Sequence, residues 1–201
     1  MIKILSWNSR GLGHPAKINA LTDLIVQEKP SIILLQETKQ RESEISKIIG
    51  KYKNYRGSIC EARGASGGIT TIWNQNDWQC ESEIVDQHWI KSVLRNNNSH
   101  QQIVIFNVYV PNHYRDKGNC WETLCNHIME GDSNNTIVGG DFNLILHANE
   151  KRGGNFLPDP FRNQMENVMH IGDLIDITPK NRKFTWNNRR LGSHNIMERL
   201  D

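Results

Sequence analysis

The run Ile32-Ile33-Leu34-Leu35-Gln36 constrains the fold more than any other part of the chain. Successive side chains of a strand leave on opposite faces, so a continuous apolar run has no side that can face water. Such a strand is covered above and below, which demands layers on both faces of its sheet. The run stops at Glu37. Before it, Ile2 to Trp7 reads as a strand ending at Asn8. Pro15 then suits a first helical position, and Ile18, Leu21, Leu24 and Ile25 keep helical spacing up to Pro30. A polar helix is expected around Ser43 to Lys51, with Ile45, Ile48 and Ile49 on its inner face.

From Tyr55 to Pro111 the texture changes to strand after strand. Ile69 to Trp73, Ile84 to Val85, Ile90 to Leu94 and Ile103 to Val110 are separated by Gly, Asn and Ser turns. Helices are expected from about Lys117 to Met129 and from Pro160 to about Ile171, the second followed by Ile175-Asp176-Ile177. Phe184-Thr185-Trp186 and Glu198-Arg199-Leu200-Asp201 close the chain, the last reading as the start of a strand. The pattern predicts an α/β fold of two packed mixed sheets flanked by helices. With 201 residues, 37% of them hydrophobic, one domain spanning 1–201 can bury a sizeable core.

Composition excludes more than it selects. A net charge of +2 names no partner. Cys60, Cys80, Cys120 and Cys125 have neither CxxC nor zinc spacing, and without a signal peptide they read as reduced thiols of an intracellular protein. No apolar run is long enough to cross a bilayer, and nothing calls for an obligate oligomer.

Four strand-like runs end in a polar residue suited to metal or phosphate chemistry: Asn8, Glu37, Tyr109 with Asn112, and Asp141 with Asn143. Each alone has a plainer reading. Asn8 can start an Asx turn, Glu37 can be a solvated residue before a helix, Tyr109 a half-buried strand residue, and Asp141 a turn after Gly139-Gly140. Together they make chemical sense. A hard cation such as Mg²⁺ takes oxygen ligands and keeps several waters, so Glu37 and Asp141 would suffice. On extended backbone, residues two apart point to one side, which predicts that Asp141 and Asn143 converge. Asn8 and Asn143 would add carboxamides without repelling an anion, and Tyr109 would donate to a phosphate oxygen. The set serves metal-assisted phosphodiester hydrolysis.

The stretches SWNSRGLGHP (6–15), LLQETK (34–39), GASGGITTIW (64–73), NVYVPN (107–112), GGDFN (139–143), FTW (184–186) and ERLD (198–201) resemble the endonuclease/exonuclease/phosphatase superfamily. Within it they are most similar to the apurinic-like endonuclease domain of plant-type LINE retrotransposons. SGG by itself is an ordinary hairpin turn and lacks the GK[ST] of a P-loop. The resemblance implies a four-layer α/β sandwich and a DNA-nicking enzyme using Mg²⁺, with Mn²⁺ as an alternative. Its metal set would be Asn8, Glu37, Asp141 and Asn143, with Glu37 the principal ligand. Asn8 and Asn143 would contact the scissile phosphate or the attacking water, and Tyr109 would bind the phosphate. Asp141 would position or deprotonate the water, Thr185 would lie near the DNA backbone, and Asp201 would orient a catalytic histidine. A reverse transcriptase on the same polypeptide and a nuclear site of action are implied as well.

The family pattern continues past ERLD to a Ser-Asp-His triplet that none of the eight histidines supplies. The expectation is therefore a domain incomplete at its C-terminus and lacking its last strands. That leaves two competing expectations: a catalytically inactive DNA-binding remnant, and the same fold acting on another phosphodiester or phosphomonoester. The segment Lys180 to Arg190 carries five positive charges and no acid, with Phe184 and Trp186 interleaved. Lys183, Thr185 and Trp186 are its DNA-binding candidates. A solvated basic loop is the plainer account. Arg10, Asn112 and Arg115 are further candidates for phosphate contact.

Overall fold

The computed structural model describes residues 2–64, 66–130, 135–181 and 183–201. The chain forms two compact units, Met1–Tyr109 with Asn135–Asp141, and Val110–Asn134 with Phe142–Asp201.

The first unit contains two mixed four-stranded sheets. In chain order it begins with β1 (Ile4–Asn8), α1 (Pro15–Glu28), β2 (Ile32–Gln36), α2 (Glu42–Ile49), β3 (Tyr55–Cys60) and β4 (Ile69–Asn74). The first sheet runs β1-β2-β4-β3. β1 and β2 are parallel with Asn8 opposite Gln36, and the other pairings are antiparallel. The second sheet comprises β5 (Trp78–Val85), β6 (Trp89–Asn96), β7 (Gln102–Tyr109) and β8 (Thr136–Asp141), in that order. β7 and β8 are parallel and set Tyr109 opposite Asp141.

The apolar run of β2 is used as its pattern demands. Ile33 and Leu35 pack with Leu21 and Ile25 of α1 and with Ile45, Ile48 and Ile49 of α2. Ile32 and Leu34, on the other face, pack with Trp73 and with Trp78, Leu94, Ile103 and Ile105 of the second sheet. Each such side chain contributes about 1.5–3 kcal/mol by leaving water. The sequence thus gives helices, sheet and sheet in successive layers within this unit. α1 starts where expected: Pro15 is its first residue, and His14 Nδ1 accepts from Ala16 N at 3.2 Å. α2 carries Glu42 and Glu44 in its first turn and Lys47 in its last, matching the helix dipole.

β5 begins at Trp78, well before the expected Ile84. It is an edge strand, mostly exposed beyond Trp78, with a bulge between Cys80 and Ser82. An edge strand has one neighbour and a weak apolar signature, which is why its start was hard to read.

The second unit holds α3 (Tyr114–Met129), β9 (Lys151–Arg152), α4 (Arg162–Ile171), β10 (Trp186–Asn187) and β11 (Met197–Glu198). The three strands form an antiparallel sheet, β10-β11-β9. Trp121 of α3 is fully buried and stacks on Phe142. Ile175-Asp176-Ile177 forms no strand; both isoleucines are 87% exposed. Its apolar alternation meets no pairing strand among the described residues, and alternation without a partner does not make a sheet. All four cysteines are free thiols. No helix among the described residues is long and apolar enough to cross a membrane.

Candidate active site

The first unit brings four of the expected residues together at the C-terminal ends of its strands. Asn8 ends β1, Glu37 follows β2, Tyr109 ends β7 and Asp141 ends β8. Asn8 Nδ2 donates to Glu37 Oε1 at 3.0 Å and to Asp141 Oδ2 at 2.6 Å. Its other end is fixed too, since Asn8 Oδ1 accepts from Arg10 N at 3.1 Å. One carboxamide therefore ties a carboxylate of the first sheet to a carboxylate of the second.

Tyr109 reports the resulting field. Burial raises its phenol well above the ordinary range; the Glu37 charge, a hydrogen bond to Glu37 and the Asp141 charge add to this, opposed by Arg10. The phenol stays protonated and donates to Glu37. Lys39 Nζ lies 3.3 Å from Glu37 Oε2 on the more exposed side.

The loop carrying Glu37 is held from beneath. Ser9 Oγ donates to the carbonyls of Gln36 and Glu37, both at 3.1 Å, and Gly11 N donates to Glu37 O at 2.6 Å. Thr38 N and Lys39 N donate to Gly68 O and Gly67 O, each at 3.0 Å. Gly68 has φ +87°, and a Cβ there would collide with Thr38 Oγ1. The Gly67-Gly68 pair is a seat for the Glu37 loop. Gly140, at φ +135°, is required for a similar reason: a Cβ would strike the Val108 backbone beside it.

Two carboxylates brought this close, with a phenol oxygen beside them, form an oxygen donor set that fits a hard divalent cation, while the Asn8 amide turns its nitrogen to both acids. Glu37 and Asp141 are the residues that could hold it. Among the described residues no group of three or more His, Cys, Asp or Glu gathers, so this two-acid set is not exceeded elsewhere.

In the second unit, Asn143 has φ +46°, so the chain is not extended through it. The expected convergence of Asp141 and Asn143 by two-residue alternation therefore lacks its premise. Asn143 Nδ2 donates to Val110 O at 2.6 Å, and its backbone carbonyl accepts from Lys117 Nζ at 2.7 Å. Lys117 is buried and also pairs with Asp159 at 2.5 Å. Asp201 is exposed after β11. Just before it, Arg199 Nη2 pairs with buried Glu150 at 2.8 Å and with Asp176 at 2.6 Å. Thr185 Oγ1 accepts from Leu200 N at 3.0 Å, so its hydroxyl serves the β10–β11 junction. Trp186 is half-buried in β10, whereas Lys183, Arg189 and Arg190 are exposed. Arg182 of the same basic stretch lies outside the described residues. Arg10, Asn112 and Arg115 are exposed.

Sequence reading missed Lys39, Lys117 and Glu150. Lys39 stood within LLQETK, two residues from Glu37, and that proximity was a usable signal. Lys117 and Glu150 gave none, because a charged residue in a polar helix or loop does not announce its burial.

The sequence model of the Endonuclease/Exonuclease/phosphatase family matches residues 5–191. Among solved structures, the chain is similar to a 3′ phosphatase from Neisseria bound to a product DNA hairpin. The TM-score is 0.73 at 13% identity, covering 98% of this chain and 87% of that one. The endonuclease domain of a telomere-specific non-LTR retrotransposon gives a TM-score of 0.70 at 16% identity, with coverage of 100% and 83%. An AP endonuclease from Leishmania major gives 0.66 at 19% identity, covering 85% of this chain and 66% of that one. At these identities the likeness concerns the α/β sandwich fold, two mixed sheets with flanking helices.

Proposed function

The chain belongs to the endonuclease/exonuclease/phosphatase family, and on that premise we propose that it hydrolyses phosphodiester bonds of DNA with the help of Mg²⁺ or Mn²⁺. The observation that carries the reading is the Asn8 carboxamide joining Glu37 and Asp141 across the two sheets. Glu37 and Asp141 hold the cation. When bound, it offsets charge developing on the phosphoryl oxygens and the leaving group. Tyr109, kept protonated by its surroundings, turns its single proton from Glu37 to a phosphate oxygen when substrate is bound. Asp141 also accepts a proton from the attacking water, and Asn8 and Asn143 orient the phosphate or that water.

The finer reading is a nicking endonuclease of a plant-type LINE retrotransposon. It leaves a 3′ hydroxyl from which a reverse transcriptase on the same polypeptide primes synthesis in the nucleus. The combination of SWNSRGLGHP, LLQETK and GGDFN supports it. Lys183, Arg189 and Arg190, together with Arg10 and Arg115, supply exposed charge for the DNA backbone.

A supercoiled-plasmid assay with Mg²⁺ tests the reading. The wild-type chain is expected to produce nicked circles, chelator to abolish them, and Glu37→Gln or Asp141→Asn to slow nicking by about 10²-fold or more. DNA binding without nicking would favour a second reading, an inactive DNA-binding remnant, for which the exposed basic residues speak. Turnover of an abasic site, an inositol phosphate or a lipid phosphodiester in place of intact DNA would retain the chemistry and change the substrate.

A further inference from the structure

The interior between the two sheets of the first unit changes character along its length. On β2, Ile32, Leu34 and Gln36 share one face; on β7, Ile103, Ile105, Asn107 and Tyr109 do. Away from the site these rows meet as a purely apolar cluster. One step before Glu37 and Tyr109 they turn polar. Gln36 and Asn107 are both 0% exposed, and Gln36 Nε2 donates to Asn107 Oδ1 at 2.7 Å. Asn107 Nδ2 crosses back to the first sheet, donating to Thr70 O at 2.9 Å and reaching Leu35 O at 3.4 Å.

Stability alone does not account for this seam. Gln36 Oε1 is buried there without a hydrogen-bond partner. Such a group is a cost that an apolar side chain would avoid. What the seam does offer is a fixed spacing: amide hydrogen bonds hold a narrow distance and direction, whereas apolar packing tolerates sliding. That spacing matters at the next residues along, because Asn8 and Glu37 stand on one sheet and Tyr109 and Asp141 on the other.

We propose that the Gln36–Asn107 pair sets the separation of the two sheets at their site end, and so holds Asn8 and Glu37 against Tyr109 and Asp141. Both are positioning residues acting through their neighbours in the chain. The consequence for cation binding rests on the proposed function; the geometric claim does not.

The test replaces both partners at once, Gln36→Leu with Asn107→Leu, which strands neither amide. The metal-free crystal structure of this variant is expected to show Asn8 Nδ2 and Asp141 Oδ2 beyond hydrogen-bond distance, more than about 3.5 Å apart. Mn²⁺ affinity, read by electron paramagnetic resonance without substrate, is expected to fall on the order of tenfold. A folded variant that keeps the Asn8–Asp141 bond overturns the proposal, whatever its melting temperature. If the double variant does not fold, Gln36→Met decides by the same distance, since it cuts the amide–amide bond and leaves Asn107 on Thr70. Wild-type protein that binds no Mn²⁺, paired with a variant whose distance has widened, would sink the functional reading and leave this inference standing.

Discussion

Asn8 Nδ2 lies 2.6 Å from Asp141 Oδ2 although the two residues are 133 positions apart. The same nitrogen serves Glu37, so two acids that would otherwise repel share one donor. Asn8→Ala removes both bonds. Hydrogen bonds to charged groups contribute about 1.5–3 kcal/mol, and the metal-free variant is expected to lose about 2 kcal/mol of stability in urea unfolding. Saturating Mg²⁺ should recover part of that loss, while nicking stays about 10²-fold below wild type.

Tyr109 gives the protein an alkaline limit. An unfolded tyrosine loses its proton near about pH 10, whereas folded Tyr109 keeps it to higher pH because of burial and the facing carboxylates. Its folded value is raised, so the contribution is complete below about pH 10 and is lost as pH climbs toward the folded value. Melting temperature measured from about pH 8 to pH 11 should fall more steeply for wild type than for Tyr109→Phe. Tyr55, raised by burial and then by Asp77, and the thiols of Cys60, Cys80 and Cys125, each raised by burial, leave a slope common to both proteins.

Lys39 competes for the carboxylate that would hold the cation. Its ammonium is 3.3 Å from Glu37 Oε2 with the lysine side chain 37% exposed, so solvent screens much of the attraction. Exposed pairs of this kind are worth about 0.2–1 kcal/mol. Lys39→Gln is expected to tighten Mn²⁺ binding by roughly two- to fivefold in calorimetry. Weaker binding would show that the lysine organises the loop.

Lys117 is a buried cation with two partners, Asp159 and the Asn143 carbonyl. Lys117→Met leaves Asp159 without its counter-charge, at an expected cost of about 3 kcal/mol in denaturant unfolding. Lys117→Met with Asp159→Leu should recover most of it. Since the carbonyl that Lys117 grips belongs to Asn143, nicking in the double variant is expected to remain below wild type.

Much of this was legible because strand burial leaves a period in the sequence. The run at 32–36 announced its two covered faces, and the strand ends at Asn8, Glu37, Tyr109 and Asp141 could be aligned without coordinates. Three things were not readable. Asn143 departs from extended geometry, and an Asn after Gly-Gly-Asp gives no warning of a left-handed turn. Ile175 and Ile177 alternate like a strand, but pairing is a property of two segments and alternation belongs to one. Gln36 and Asn107 look like ordinary polar interruptions until the opposite sheet places one against the other.

The parallel pairing of β7 with β8 also dictates when the site comes into being. Glu37 and Asn8 leave the ribosome early, but Asp141 closes the last strand of the second sheet, after the whole of α3. A nascent chain shorter than that carries a solitary acid with nothing to chelate against. On the proposed function, an ion held by both acids is consequently a late arrival, bound only once residue 141 has been made and paired beside Tyr109.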